Sequence, residues 1–162
     1  MSKSMTYGAV ALAGLVVGVA LAGFAGVSLM PSMMLQVHES ALDFDGTVAK
    51  LQENMKAEGW SSPGLIDINK SMSKHGVEFA PRVKVVQLCK AEYAREVLTT
   101  NREVSAMMPC AISVYEDDLG KVWIAKINTG LMGKMFGGVI AEVMGGKVAA
   151  EEGAILEGVV KH

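Results

Sequence analysis

Between Ser4 and His38 the chain carries no Lys, Arg, Asp or Glu, and Gly8 to Met30 is apolar almost throughout before Pro31 ends it. A helix needs about 20 such residues to cross a hydrocarbon layer roughly 30 Å thick. The pattern therefore predicts an N-terminal transmembrane anchor over residues 1–36 and a separate domain over residues 37–162. Within the apolar stretch the small residues Gly14, Gly18, Ala22 and Gly26 stand four apart. Lipid tails are as apolar as leucine, so membrane helices associate through close backbone packing, and a stripe of small residues allows it. The stripe is thus a candidate seam for another transmembrane helix. The rival reading is a cleaved secretory signal, with Lys3 as its basic start and Ala20-Leu21-Ala22 as its cleavage site. Cleavage there leaves the greasy terminus GFAGVSLMPSMML, which favours the anchor. Either way, Lys3 and the α-amino group stay cytoplasmic and the domain is exported. The expected location is a single-pass inner-membrane protein with a periplasmic domain.

Downstream, the run Leu35 to Phe44 suggests an opening strand. Phe44, Val48, Leu51 and Met55 then fall on one helical stripe, with Asp43 or Asp45 as N-cap and Gly59 as the stop. PGLIDIN reads as a short strand whose Asp67 faces solvent, and SMSKHG as a turn or single helical turn closed by Gly76. RVKVVQLCK is apolar on both faces, Val83 and Val85 on one and Val86 and Leu88 on the other, and predicts a central strand covered on both sides. AEYAREVLTT offers Ala94, Val97 and Leu98 as a helical face. CAISVYE and KVWIAKIN flank DDLG as a hairpin with a solvated tip. Cys110, Ile112 and Val114 share one side of the first strand, and Trp123, Ala125 and Ile127 one side of the second. The last third is helical in pattern but rich in glycine, each interior Gly costing up to about 1 kcal/mol relative to Ala. Gly133, Gly137, Ala141 and Gly145 again stand four apart, a groove for tight helix packing or for a partner.

Composition narrows the function classes. The net charge is −2 with both signs interspersed, which gives no footprint for a phosphate backbone and excludes nucleic acid as the expected partner. The two cysteines, Cys89 and Cys110, form neither a dense disulfide framework nor a C-x-x-C pair.

Three runs, VKVVQLCKAEYAREVL, MPCAISVYED and VWIAKINTGLMGKMF, occur in this order, with Cys89 at a strand end, Met-Pro-Cys at 108–110 and Ile-Asn at 127–128. In these runs the chain resembles, over roughly residues 38–160, the family catalogued as domain of unknown function 302 (DUF302). The resemblance implies an α+β domain in which a curved antiparallel sheet is packed by helices, similar to the TATA-binding-protein-like folds and often a dimer. It carries over no catalytic residues.

Cys89 ends one predicted strand and Cys110 begins another, so they are either buried small hydrophobes, a structural disulfide or a reactive thiol pair. Among the 12 methionines, Met107 and Met108 precede Cys110, while Met132, Met135 and Met144 sit in the last helical region. Thioether and thiolate ligands suit Cu(I) or a haem iron, which makes Cys89, Cys110, Met108 and His75 candidate metal ligands, although core filling explains such methionines as well. No cofactor is required by the sequence. His38, His75 and His162 lack any triad-like context, and there is no Walker loop, G-x-G-x-x-G after a strand, H-E-x-x-H or G-x-S-x-G. The reading is a membrane-anchored, externally facing accessory or binding module without a catalytic constellation, held to other membrane subunits or to a second copy. The alternative is a redox, sulfur-, metal- or haem-handling protein using Cys89 and Cys110.

Overall fold

The structure, a computed structural model, describes residues 14–21, 23, 24, 26, 30 and 32–161. The chain divides into two compact units, Met1–Met34 and Leu35–His162. In the first unit the described residues are helical and exposed, Leu15, Val19 and Phe24 among them. A Cβ at Gly14, Gly18 or Gly26 would meet nothing within 4 Å, so the small-residue stripe is open; its fourth member, Ala22, lies outside the described residues. Among the described residues, no helix is long and apolar enough to cross a membrane.

The second unit is an α+β domain. Its strands are β1 (Leu35–Glu39), β2 (Leu65–Asp67), β3 (Val83–Leu88), β4 (Cys110–Glu116) and β5 (Val122–Ile127). They form one antiparallel sheet in the order β1-β5-β4-β3-β2. The helices are α1 (Phe44–Ala57), α2 (Ile68–Ser73), α3 (Ala91–Thr100), α4 (Thr129–Phe136), α5 (Gly138–Ile140) and α6 (Ala149–Leu156). A 3₁₀ turn at Arg102–Met107 precedes β4, and a π-helical stretch at Ala141–Val148 joins α5 to α6.

Local chemistry sets these boundaries. Asp43 caps α1, its carboxylate accepting from Gly46 N at 2.7 Å, and Gly59 leaves the helix with φ +74°. Asp67, expected to face solvent, instead caps α2 by accepting from Lys70 N at 2.8 Å. In the β4–β5 hairpin, Asp117 accepts from Leu119 N and Lys121 N and from Trp123 Nε1, each at 2.9 Å. The tip is therefore built around this carboxylate, and is not merely solvated.

Every buried strand residue lies on one face: Val86, Leu88, Ile112, Val114, Val122, Ile124 and Lys126. Phe44, Leu51 and Met55 of α1, Val97 of α3 and Ile155 of α6 complete that core. The expectation that β3 is covered on both sides does not hold. Val83 and Val85 are half-buried, and Leu35, Val37, Ile66 and Ile127 are exposed on the same open face. A β-rich apolar run reads alike in a doubly covered strand and in one with an unpacked apolar face, because alternation reports only polarity.

The glycine-rich third is not one helix. Gly137 and Gly138 take φ of +69° and +53°, a conformation that L side chains rarely adopt, and the chain reverses there. Gly133, Gly137, Ala141 and Gly145 therefore do not form a single stripe. Gly133 of α4 instead lies against the backbone of Gly145, and a Cβ at Gly133 would sit 2.8 Å from Gly145 N. The two segments meet at a distance only glycine permits.

Candidate functional site

Alternation along β5 turns Val122, Ile124 and Lys126 inward and leaves Trp123, Ala125 and Ile127 on the open face. Lys126 is thus a lysine in a core position, only 6 % exposed. Its Nζ donates to Glu152 Oε2 of α6 at 2.7 Å and to Gln36 Oε1 of β1 at 2.5 Å. Thr129 Oγ1, at the start of α4, donates to the same Glu152 oxygen at 3.0 Å. Four elements converge on this pair. Burying two charges costs several kcal/mol per ion even after relaxation, so the pair persists only because each is met by the other and by further hydrogen bonds.

The pair forms one end of a cavity of about 300 Å³ at the end of the sheet where β4 begins. Met107, Met108, Met132 and Met144 supply much of its apolar wall, with Cys110 and Ile112 beside them. Met144 and Val148 reach it from the π-helical stretch. Such an insertion widens a helix by one residue per turn and is frequently found at functional sites. Met135, which spacing pairs with Met132, is half exposed and does not line the cavity, whereas Met132 is buried.

Glu151, the residue before Glu152, organises a second network. It accepts from Trp60 Nε1 at 2.8 Å, from Lys90 Nζ at 2.9 Å and from Tyr93 OH at 2.5 Å. Burial pushes the Glu151 carboxyl up, but the donors Tyr93, Lys90 and Trp60 outweigh it and hold the group below its ordinary range. The same hydrogen bond to Glu151 raises Tyr93 and Lys90. This cluster ties α6 to α3 and to the segment after α1, and it is fully satisfied internally.

Cys89 and Cys110 are both free thiols. The ladder pairs Leu88 with Cys110, and Cys89, one residue beyond β3, lines together with Cys110, Met108 and Met144 a small cleft between the sheet, α3 and the π-helical stretch. Burial first, then the neighbouring Cys89 and Glu152, pushes the Cys110 thiol from 9.0 up to about 11. His75 lies in the turn after α2, at the Val83 end of β3, whereas Cys110 pairs with the Leu88 end. A six-residue strand spans about 20 Å, so His75 does not join Cys89, Cys110 and Met108. Among the described residues, no group of three or more His, Cys, Asp or Glu could hold a metal ion. His162 lies outside the described residues.

Lys126, Glu152, Thr129 and Gln36 were not singled out by sequence reasoning. The available signal was the phase of β5: Val122 and Ile124 set an inward face, and Lys126 continues it. Trp123, Ala125 and Ile127, which the same alternation groups together, lie on the opposite, open face.

Five antiparallel strands packed on one face by helices define an α+β domain. The model of the family described as "Domain of unknown function DUF302" matches residues 36–160, and the chain belongs to that family. A similar solved structure is the "uncharacterized conserved protein DUF302 from Bacillus stearothermophilus", 19% identical, with a TM-score of 0.67. The likeness covers 77% of this chain and 97% of that one, and it concerns the fold. No curated protein matches.

Proposed function

We infer that this protein is a membrane-anchored binding module whose exported domain holds a small molecule in the cavity beside Lys126 and Glu152. The observation that carries the reading is a charged pair buried at the end of an otherwise methionine-rich cavity of about 300 Å³. That volume falls at the lower end of ligand pockets, which run to about 300–1,000 Å³ and combine apolar walls with a few convergent polar groups. Outside the cavity, no described Ser, Thr or Cys side chain of the domain donates a hydrogen bond to a histidine or a carboxylate. The Cys110 thiol, held well above neutrality, is a poor thiolate at physiological pH.

The anchor rests on the uncharged stretch from Ser4 to His38 and on the exposure of Leu15, Val16, Val17, Leu21 and Phe24, apolar side chains that lipid or another helix would cover. Lys3 orients the domain outward. The open stripe of Gly14, Gly18 and Gly26 gives a seam for a second membrane helix, from another subunit or a second copy. The test is extraction of the full chain from its membranes into mild detergent, followed by native mass spectrometry. A copurifying small molecule that is lost when Ala106→Trp blocks the cavity mouth supports the reading; a ligand retained in that variant, or a chain released from membranes by alkaline carbonate, contradicts it.

A further inference from the structure

The cavity beside Lys126 also constrains the charge of what enters it, an argument that rests on the binding reading above. Lys126 and Glu152 are the only charged residues among the described ones that line it, and they face each other at 2.7 Å. Their charges cancel. A carboxylate or ammonium brought into the cavity would leave one net charge against four methionines and Ile112, with no partner to offset it, and an unpaired buried charge is the costly case.

The polar end still has hydrogen-bonding capacity. The ammonium carries three protons, and Gln36 and Glu152 take two of them. Glu152 Oε2 already receives Lys126 and Thr129, whereas Oε1 receives no donor from the described residues. One N–H and one carboxylate oxygen, side by side, suit a ligand atom that accepts one hydrogen bond and donates another. A hydroxyl does both.

We propose that the cavity takes an uncharged lipophilic alcohol or phenol, its hydroxyl seated between Lys126 Nζ and Glu152 Oε1 and its apolar body against the methionines. The assignment excludes fatty acids and amines of the same size. It also explains why a charged pair occupies a site that a leucine and a methionine would fill at lower cost: the pair offers a donor and an acceptor while adding no net charge.

The test uses the full chain in lipid nanodiscs, with empty nanodiscs as the control. Three probes share one apolar body: cyclohexylmethanol, cyclohexanecarboxylate and cyclohexylmethylammonium. Ligand-observed NMR competition should show cyclohexylmethanol binding at least about tenfold more tightly than either charged analogue. In the Glu152→Gln variant, which keeps an oxygen for Lys126 and Thr129 but removes the negative charge, the carboxylate should become the preferred probe. A charged probe that binds the native chain as tightly as the alcohol overturns the ligand class and leaves the binding reading standing. Absence of saturable binding by all three, in the native chain and in the variant, overturns both.

Discussion

At the scale of single residues, Lys126 is the side chain whose environment departs furthest from its type. Replacing it with methionine leaves Glu152 buried without its cation, and removing one member of a buried pair typically costs about 3–5 kcal/mol. Removing both charges in a Lys126→Met/Glu152→Gln double variant should cost less than the sum of the single changes. Urea unfolding of the four chains measures that coupling, and additive losses would mean that the two groups act independently. Cys110 makes a second residue-scale prediction. Its folded value of about 11 lies above the ordinary 9.0, so the native state holds its proton longer than the unfolded chain does. The stabilisation is complete below pH 9 and is lost as pH rises toward 11, by roughly 2–3 kcal/mol at most. Unfolding measured across that range should show the decline, and Cys110→Val should flatten it. Neither Lys126 nor its partners stood out along the chain, because a lysine flanked by Ala125 and Ile127 reads as a solvent-facing strand position until the phase of the neighbouring Val122 and Ile124 is applied. The two cysteines were conspicuous, and both are free thiols that line one small cleft beside Met108 and Met144.

At the scale of elements, the periodicity of α1 and the β4–β5 hairpin was legible, with Gly59 as the stop and the cap narrowed to Asp43 or Asp45, of which the structure uses Asp43. Those signals are local: a capping carboxylate, a glycine at positive φ and a stripe at helical spacing. The reversal at Gly137 and the π-helical stretch were not legible, since glycines four apart look the same in one long helix and in two segments packed face to face. The packing has a measurable consequence. Gly133→Ala places a Cβ 2.8 Å from Gly145 N and 2.9 Å from its Cα, atoms that cannot yield without moving backbone, and overpacking of this kind costs about 1–3 kcal/mol. Gly153→Ala in α6 meets open space and should stabilise the domain by up to about 1 kcal/mol. Thermal unfolding of the two variants should move in opposite directions; equal shifts would show that the Gly133–Gly145 approach contributes nothing particular. The Glu151 network supplies an acid-side counterpart. Its carboxyl is held below 4.5, so its stabilisation is present above that pH and fades as pH falls through the lowered value. Glu151→Gln should remove that part of the acid dependence while leaving unfolding above neutrality with a pH-independent deficit.

For the whole molecule, the division between an uncharged N-terminal segment and a mixed-charge remainder is visible from charge alone, and the structure divides into the units Met1–Met34 and Leu35–His162. The α+β architecture and the family followed from the order of the three motif runs. The cavity did not, because it is assembled from β3, the 3₁₀ turn, β4, β5, α4, the π-helical stretch and α6, and no short window of sequence contains it. The central claim is that a ligand occupies this cavity, and the methionines provide a direct probe. With methyl-¹³C methionine incorporated into the full chain in nanodiscs, addition of cyclohexylmethanol should shift the signals of Met107, Met108, Met132 and Met144. Met55, sealed under α1, and Met72, on α2, should stay in place. Shifts confined to Met72 or spread evenly over all these methyls, or an unchanged spectrum at saturating probe, would contradict the account.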